Sequence, residues 1–264
     1  MCFSRKWCKC RCRPSLTVVI PGCLNLEEFK INYLIPHLDT VLLVIVSLYP
    51  VGFCANVTVL IKGPRGFGQS QSLSGDLAGF VMGYAVLLAV VALVRRQQVL
   101  AFNLPTFLPL LLLAPFVGIA CILLEYLVGI LLLFLRTRKL VTRAAVHSSY
   151  SAVSRISFTD ILSILALVIG EELILRQLLY NLLATDFAMA LWIVILLCTV
   201  AYAINHLSFG IASVISKLPS GLLYVLLFYV SGLSIGVVIV AHATQNLTLL
   251  ALERDREKCT IGLI

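Results

Sequence analysis

The chain has 264 residues, 61% of them hydrophobic and only 12% charged, and its mean hydropathy is +1.05. That composition excludes a soluble globular domain and points to a polytopic membrane protein. The net charge of +8, from 20 Lys+Arg against 12 Asp+Glu, is clustered beside apolar segments. Membrane lipid is the partner this implies, and nucleic acid is not.

Residues 1–36 read as a basic cytoplasmic tail carrying Arg5, Lys6, Lys9, Arg11 and Arg13, with four of the nine cysteines (Cys2, Cys8, Cys10 and Cys12). Their spacing lacks the paired gaps and histidines of a zinc site. A reduced tail is the plainer reading, and acylation beside the membrane is its alternative. Apolar segments follow over 37–61, 77–94 and 104–135, with a Gly/Ser-rich polar loop at 63–75. Residues 37–157 form an N-terminal scaffold that ends in a basic, Ser-rich connection with Arg136, Arg138, Lys139, Arg143 and Arg155. Further apolar segments cover 158–184, 188–205 and 221–252, and 253–264 is a polar tail. Prolines 105, 109 and 115 lie in the third segment, and Ser231-Gly232 divides the last. The expectation is an all-α transmembrane bundle of six to eight helices.

Both basic clusters favour the cytoplasmic side. They share a side only if 104–135 crosses twice. A single crossing puts one cluster on the wrong side, and the middle connection is then the better guide.

Charge inside the apolar segments is the most informative feature. Glu171, Glu172 and Arg176 lie within 158–184, and insertion scales charge about 2.5–3.5 kcal/mol for each such group at a helix centre. Glu172 and Arg176 are four apart, so they stack on one face and neutralise each other. Glu171 is rotated away by about 100° and has no partner on its own helix. Tyr202 and His206 share a face of the next helix, and His242 and Asn246 share one on the last. In hydrocarbon these stripes must face one another or water.

A carboxylate, two imidazoles and a carboxamide suit amide hydrolysis. The carboxylate takes a proton from water, and the imidazole and amide stabilise an oxyanion. No Ser or Cys pairs with the histidines. The same residues admit Zn²⁺ on Glu171, His206 and His242 with water as fourth ligand. The sequence shows no carboxylate placed to orient either histidine as a ligand, which favours direct activation of water without a cofactor.

The order Glu171-Glu172-x-x-x-Arg176, Tyr202-x-x-x-His206, His242-x-x-x-Asn246 resembles the CPBP family of intramembrane proteases, named for CAAX processing and for bacteriocin processing or immunity. The resemblance covers 158–252. It implies a glutamate-dependent or metallo-endopeptidase with Glu171 as general base assisted by His206. His242 and Asn246 would serve the oxyanion, and Glu172 with Arg176 would hold the helix. Many members have an aromatic residue before the arginine and glycine after it, where this chain has Leu175 and Gln177, and Tyr202 stands where Phe is commoner.

The substrate implied is a peptide or protein: a prenylated tail, a peptide leader or a membrane-protein segment. The site is expected to open toward the cytoplasm, because the helix bearing Glu171 leaves the basic connection. Two rivals keep the polar helices without proteolysis: a membrane adaptor or immunity protein, and a proton-coupled transporter. An adaptor has no need of Glu171 once Glu172 is paired. A transporter is disfavoured by the lack of repeats. Glu125 reads as an intramembrane acid with a structural partner, Gln177 and Asn181 as interhelical hydrogen-bond groups, and His37 and His147 as loop residues.

Overall fold

The computed structural model describes residues 35–62, 73–138 and 156–261, with side chains over 40–60, 77–138 and 156–252. The chain divides into two compact units, Met1–Asp39 and Thr40–Ile264. Only the second has described side chains. The cysteine-rich tail, His147, most of the 63–75 loop and most of the basic connection lie outside the described residues.

Helix is the only regular structure among the described residues, as the composition predicts. The helices are α1 (Ile35–Leu48), α2 (Pro50–Lys62), α3 (Leu73–Val99), α4 (Pro109–Thr137), α5 (Phe158–Glu172), α6 (Leu191–Ile204), α7 (Ile211–Val230) and α8 (Ile235–Ile261). Four of them contain stretches long and apolar enough to cross a membrane: Leu77–Val99, Pro109–Thr137, Ile211–Val230 and Ile235–Leu252. A fifth comes from Thr40–Leu48 with Pro50–Leu60 if that pair, bent by 81°, is one span. The protein is an integral membrane protein. His37, expected in a loop, falls within α1.

The third apolar segment does not cross twice. Pro109 sits in the first turn of α4, where a missing N–H costs nothing. From there α4 runs 29 residues without reversal. At 1.5 Å per residue that is roughly 43 Å, one full crossing. The last apolar segment does divide where expected. Gly232 has φ +76°, a conformation that glycine tolerates best. Ser231 Oγ accepts from Ser234 N at 3.3 Å, closing the turn between α7 and α8.

α5 starts at a capping box. Ser157 Oγ accepts from Asp160 N at 3.2 Å, and Asp160 Oδ2 accepts from Ser157 N at 2.7 Å. Two orphan donors are thus satisfied reciprocally. After Glu172 the helix widens into a π-turn, Leu173–Leu178, then a short α stretch and a second π-turn, Leu182–Asp186. Every residue of the first π-turn is buried. This segment lies between its neighbours: α3 and α8 pack on α5, and α3, α6 and α8 all touch the π-turn. Gln177 Nε2 donates to Ala101 O at 2.6 Å, in the connection beyond the end of α3, so it ties this segment to a loop and not to a neighbouring helix.

α4 meets α8 backbone to backbone. A Cβ at Gly118 would collide with the carbonyl oxygen of Ala241, so glycine there permits the approach. Cys54, Cys121 and Cys198 are buried free thiols, behaving as small apolar residues.

Candidate active site

Glu172 and Arg176 are both fully buried, with Nε and Oε2 3.3 Å apart, as their spacing predicts. The pair is incomplete as a hydrogen bond, and no nitrogen of the guanidinium has a hydrogen-bond partner among the described residues. Besides the Glu172 carboxylate, aromatic faces meet its charge. Cζ lies 4.5 Å from the ring centre of Tyr202 and 5.6 Å from that of Tyr224. Desolvated contacts of this kind are worth about 2 kcal/mol or more.

The other oxygen of Glu172 changes the reading of this residue. Oε1 lies 2.7 Å from Nδ1 of His242. A carboxylate held by an arginine can only accept, so Nδ1 donates. No orienting carboxylate for either histidine was visible from spacing, because Glu172 already had Arg176 as its natural partner. Folding brings α8 against α5 and lets one carboxylate hold both groups. Glu172 is therefore more than a helix clamp.

Across the same ring, Nε2 of His242 lies 3.8 Å from Oε2 of Glu171. The imidazole is bracketed by the two adjacent acids. Glu171 keeps 17% of its side chain accessible while that of Glu172 has none, so Glu171 is the one that water reaches.

His206 follows the end of α6, and its Nδ1 lies 3.1 Å from the carbonyl of Tyr202. A carbonyl only accepts, so Nδ1 carries the proton and Nε2 presents a lone pair. Tyr202 touches both imidazoles, with ring centres 5.2 Å from His206 and 5.8 Å from His242. Asn246 is half-buried one turn beyond His242. Direct contacts thus join Glu171, Glu172, Arg176 and His242, and Tyr202 links His206 to them.

The zinc set is not assembled. Among the described residues no three His, Cys, Asp or Glu side chains are grouped to share a metal ion.

Several polar groups around the site escaped the sequence reading. Tyr224 stacks on His242, with centres 5.1 Å apart and planes at 31°. Its hydroxyl donates to Gln245 Oε1. Gln245 Nε2 in turn donates to Glu125 Oε1 at 2.7 Å. Lys217 Nζ pairs with Glu125 at 2.8 Å, which supplies the structural partner expected for that acid. The usable signal was Lys217, Ser220 and Tyr224 at i, i+3 and i+7, one face of a helix. It was lost because the apolar segment was started at 221.

An acid pair gripping an imidazole, inside helices that cross a membrane, defines an integral membrane protein with its polar chemistry within the bundle. Residues 156–248, the stretch that carries Glu171, His206 and His242, match the family model described as Type II CAAX prenyl endopeptidase Rce1-like. No curated protein and no solved structure matches the chain.

Proposed function

We propose that the protein hydrolyses a peptide bond next to a prenylated cysteine, using water activated directly by Glu171. The observation that carries this is the 3.8 Å gap between Glu171 Oε2 and His242 Nε2. It is too long for a hydrogen bond, and a water resting against both atoms would bond to each. Glu171 takes the proton of that water as it attacks the carbonyl. His242, protonated and held at Nδ1 by Glu172, then turns an Nε2–H donor toward the oxyanion, with the Asn246 amide beside it. The proton on Glu171 passes to the leaving amine. His206, with its free Nε2, accepts from the water or the substrate at the edge of the site.

The family description supports a prenylated substrate, and the basic connection that precedes α5 supports entry from the cytoplasmic leaflet. The test is purified protein in lipid nanodiscs with a peptide whose farnesylated cysteine is followed by two aliphatic residues and a terminal residue. Mass spectrometry should show release of the last three residues, with no cleavage of the unprenylated peptide or by Glu171→Gln. Equal cleavage of both peptides would remove the prenyl group from the proposal. Full activity in Glu171→Gln would remove the mechanism. Asn246→Ala should lower turnover by about 10²–10³, as expected for one oxyanion donor.

A further inference from the structure

We propose that Glu125 is a positioning residue for this reaction, fixing the ring of His242 through Gln245 and Tyr224. The proposal rests on the hydrolytic reading above. Glu125 belongs to α4, outside the matched region 156–248.

The chain of bonds has one direction. Glu125 accepts from Lys217 Nζ at 2.8 Å, Ser220 Oγ at 2.6 Å and Gln245 Nε2 at 2.7 Å. A carboxylate cannot donate, so Gln245 must turn its NH₂ toward Glu125. Its carbonyl is then the group presented to Tyr224, whose hydroxyl must donate. That bond fixes the Tyr224 ring, which lies 5.1 Å from His242 and 5.6 Å from the Arg176 guanidinium. Gln245 is one turn from His242 on α8, so the chain of bonds leads back to the helix that carries the imidazole, and the Tyr224 ring contact completes the link.

A purely structural ion pair accounts for less than this. Lys217 alone neutralises Glu125. The further bonds to fully buried Gln245 and Tyr224 are not needed for charge, and they lead to the imidazole between the two glutamates. The close approach at Gly118 and Ala241 brings Glu125 within reach, since Ala241 is the residue before His242.

The experiment compares three variants with the wild type in nanodiscs: Tyr224→Phe, Glu125→Gln/Lys217→Met, and all three changes together. The double change removes both charges and leaves no stranded lysine. Thermal unfolding reports folding, the farnesylated peptide gives kcat and KM, and ¹³C-labelled histidine gives the His242 ring resonance. With four histidines in the chain, a His242→Gln spectrum assigns it. Tyr224→Phe and the double variant should each shift that resonance and lower kcat by up to about 10²-fold, the effect of a small misplacement, with KM unchanged. All three changes together should cost no more than the worse of the two, because they cut one chain.

An unmoved resonance with unchanged kcat overturns the proposal, and so does strict additivity. If the double variant fails to fold, Tyr224→Phe decides alone. If wild type leaves the peptide uncut while the resonance still responds, the substrate reading fails and the positioning role stands. If Glu171→Gln is inactive and neither variant moves His242, the positioning role fails and the function stands.

Discussion

Adjacent residues with the same side chain have different surroundings here. Glu171→Gln should abolish cleavage and leave the protein level unchanged, because its carboxylate faces accessible space and holds no charge on its own helix. Glu172→Gln strands a fully buried guanidinium and releases Nδ1 of His242. Breaking a buried pair costs about 3–5 kcal/mol, so abundance and thermal stability should fall together with activity. Quantitative blotting beside the peptide assay checks both, and the reverse pattern would exchange their roles. Tyr202 permits a simpler test. Its hydroxyl is buried with no partner among the described residues, while its ring supports Arg176 and both histidines. Tyr202→Phe should keep activity and leave stability unchanged or raise it by about 1 kcal/mol, read from thermal unfolding. The pairing of Glu172 with Arg176 was legible because both partners lie four apart on one helix. The grip of Glu172 on His242 was not, since it joins residues seventy positions apart.

At the level of elements, the site depends on two features that sequence reveals unequally. The start of α5 is local, since the capping box needs only Ser157 and Asp160. The π-turn after Glu172 is hidden. Leu-Ile-Leu-Arg-Gln-Leu contains no glycine or proline to mark a change of pitch, and only burial by three neighbouring helices explains why the wider turn persists. Such turns recur at functional sites, and this one holds Arg176 under the aromatic rings. The seam between α4 and α8 is set by one small residue. Gly118→Val should force the helices apart at Ala241 and lower kcat, while Gly129→Val further along α4, where a Cβ meets nothing, should leave it unchanged. Equal activity in the two variants would show that the seam does not position His242.

For the whole molecule, hydropathy found the bundle and misjudged its edges. Lys217 and Pro219 made residues 211–220 look like a connection, yet they open α7, because Glu125 on another helix neutralises the lysine. The two halves were also read as apolar scaffold and polar site, whereas Glu125 carries the scaffold into the polar interior. The relative direction of the helices follows from their ends. Arg95, near the end of α3, lies 3.5 Å from Asp186, which ends the continuation of α5, so these helices run the same way. α4, which joins them in sequence, runs back as one uninterrupted helix of 29 residues. Cysteines placed at Thr137 and Thr159 in a cysteine-free background should react with an impermeant maleimide from one face, and a cysteine at Gln97 from the other. Labelling of all three from one side would mean that α4 turns back within the membrane.

The four groups at the centre have a further consequence when they are counted as charges. Two carboxylates, one guanidinium and one imidazole are neutral together only when they share a single extra proton, and a membrane interior penalises any other count. In the proposed mechanism the proton taken from water must therefore return to the leaving amine within the same turnover. Hydrolysis would then proceed at constant charge, with no net proton crossing between the buried site and the surrounding water while the bond is cut.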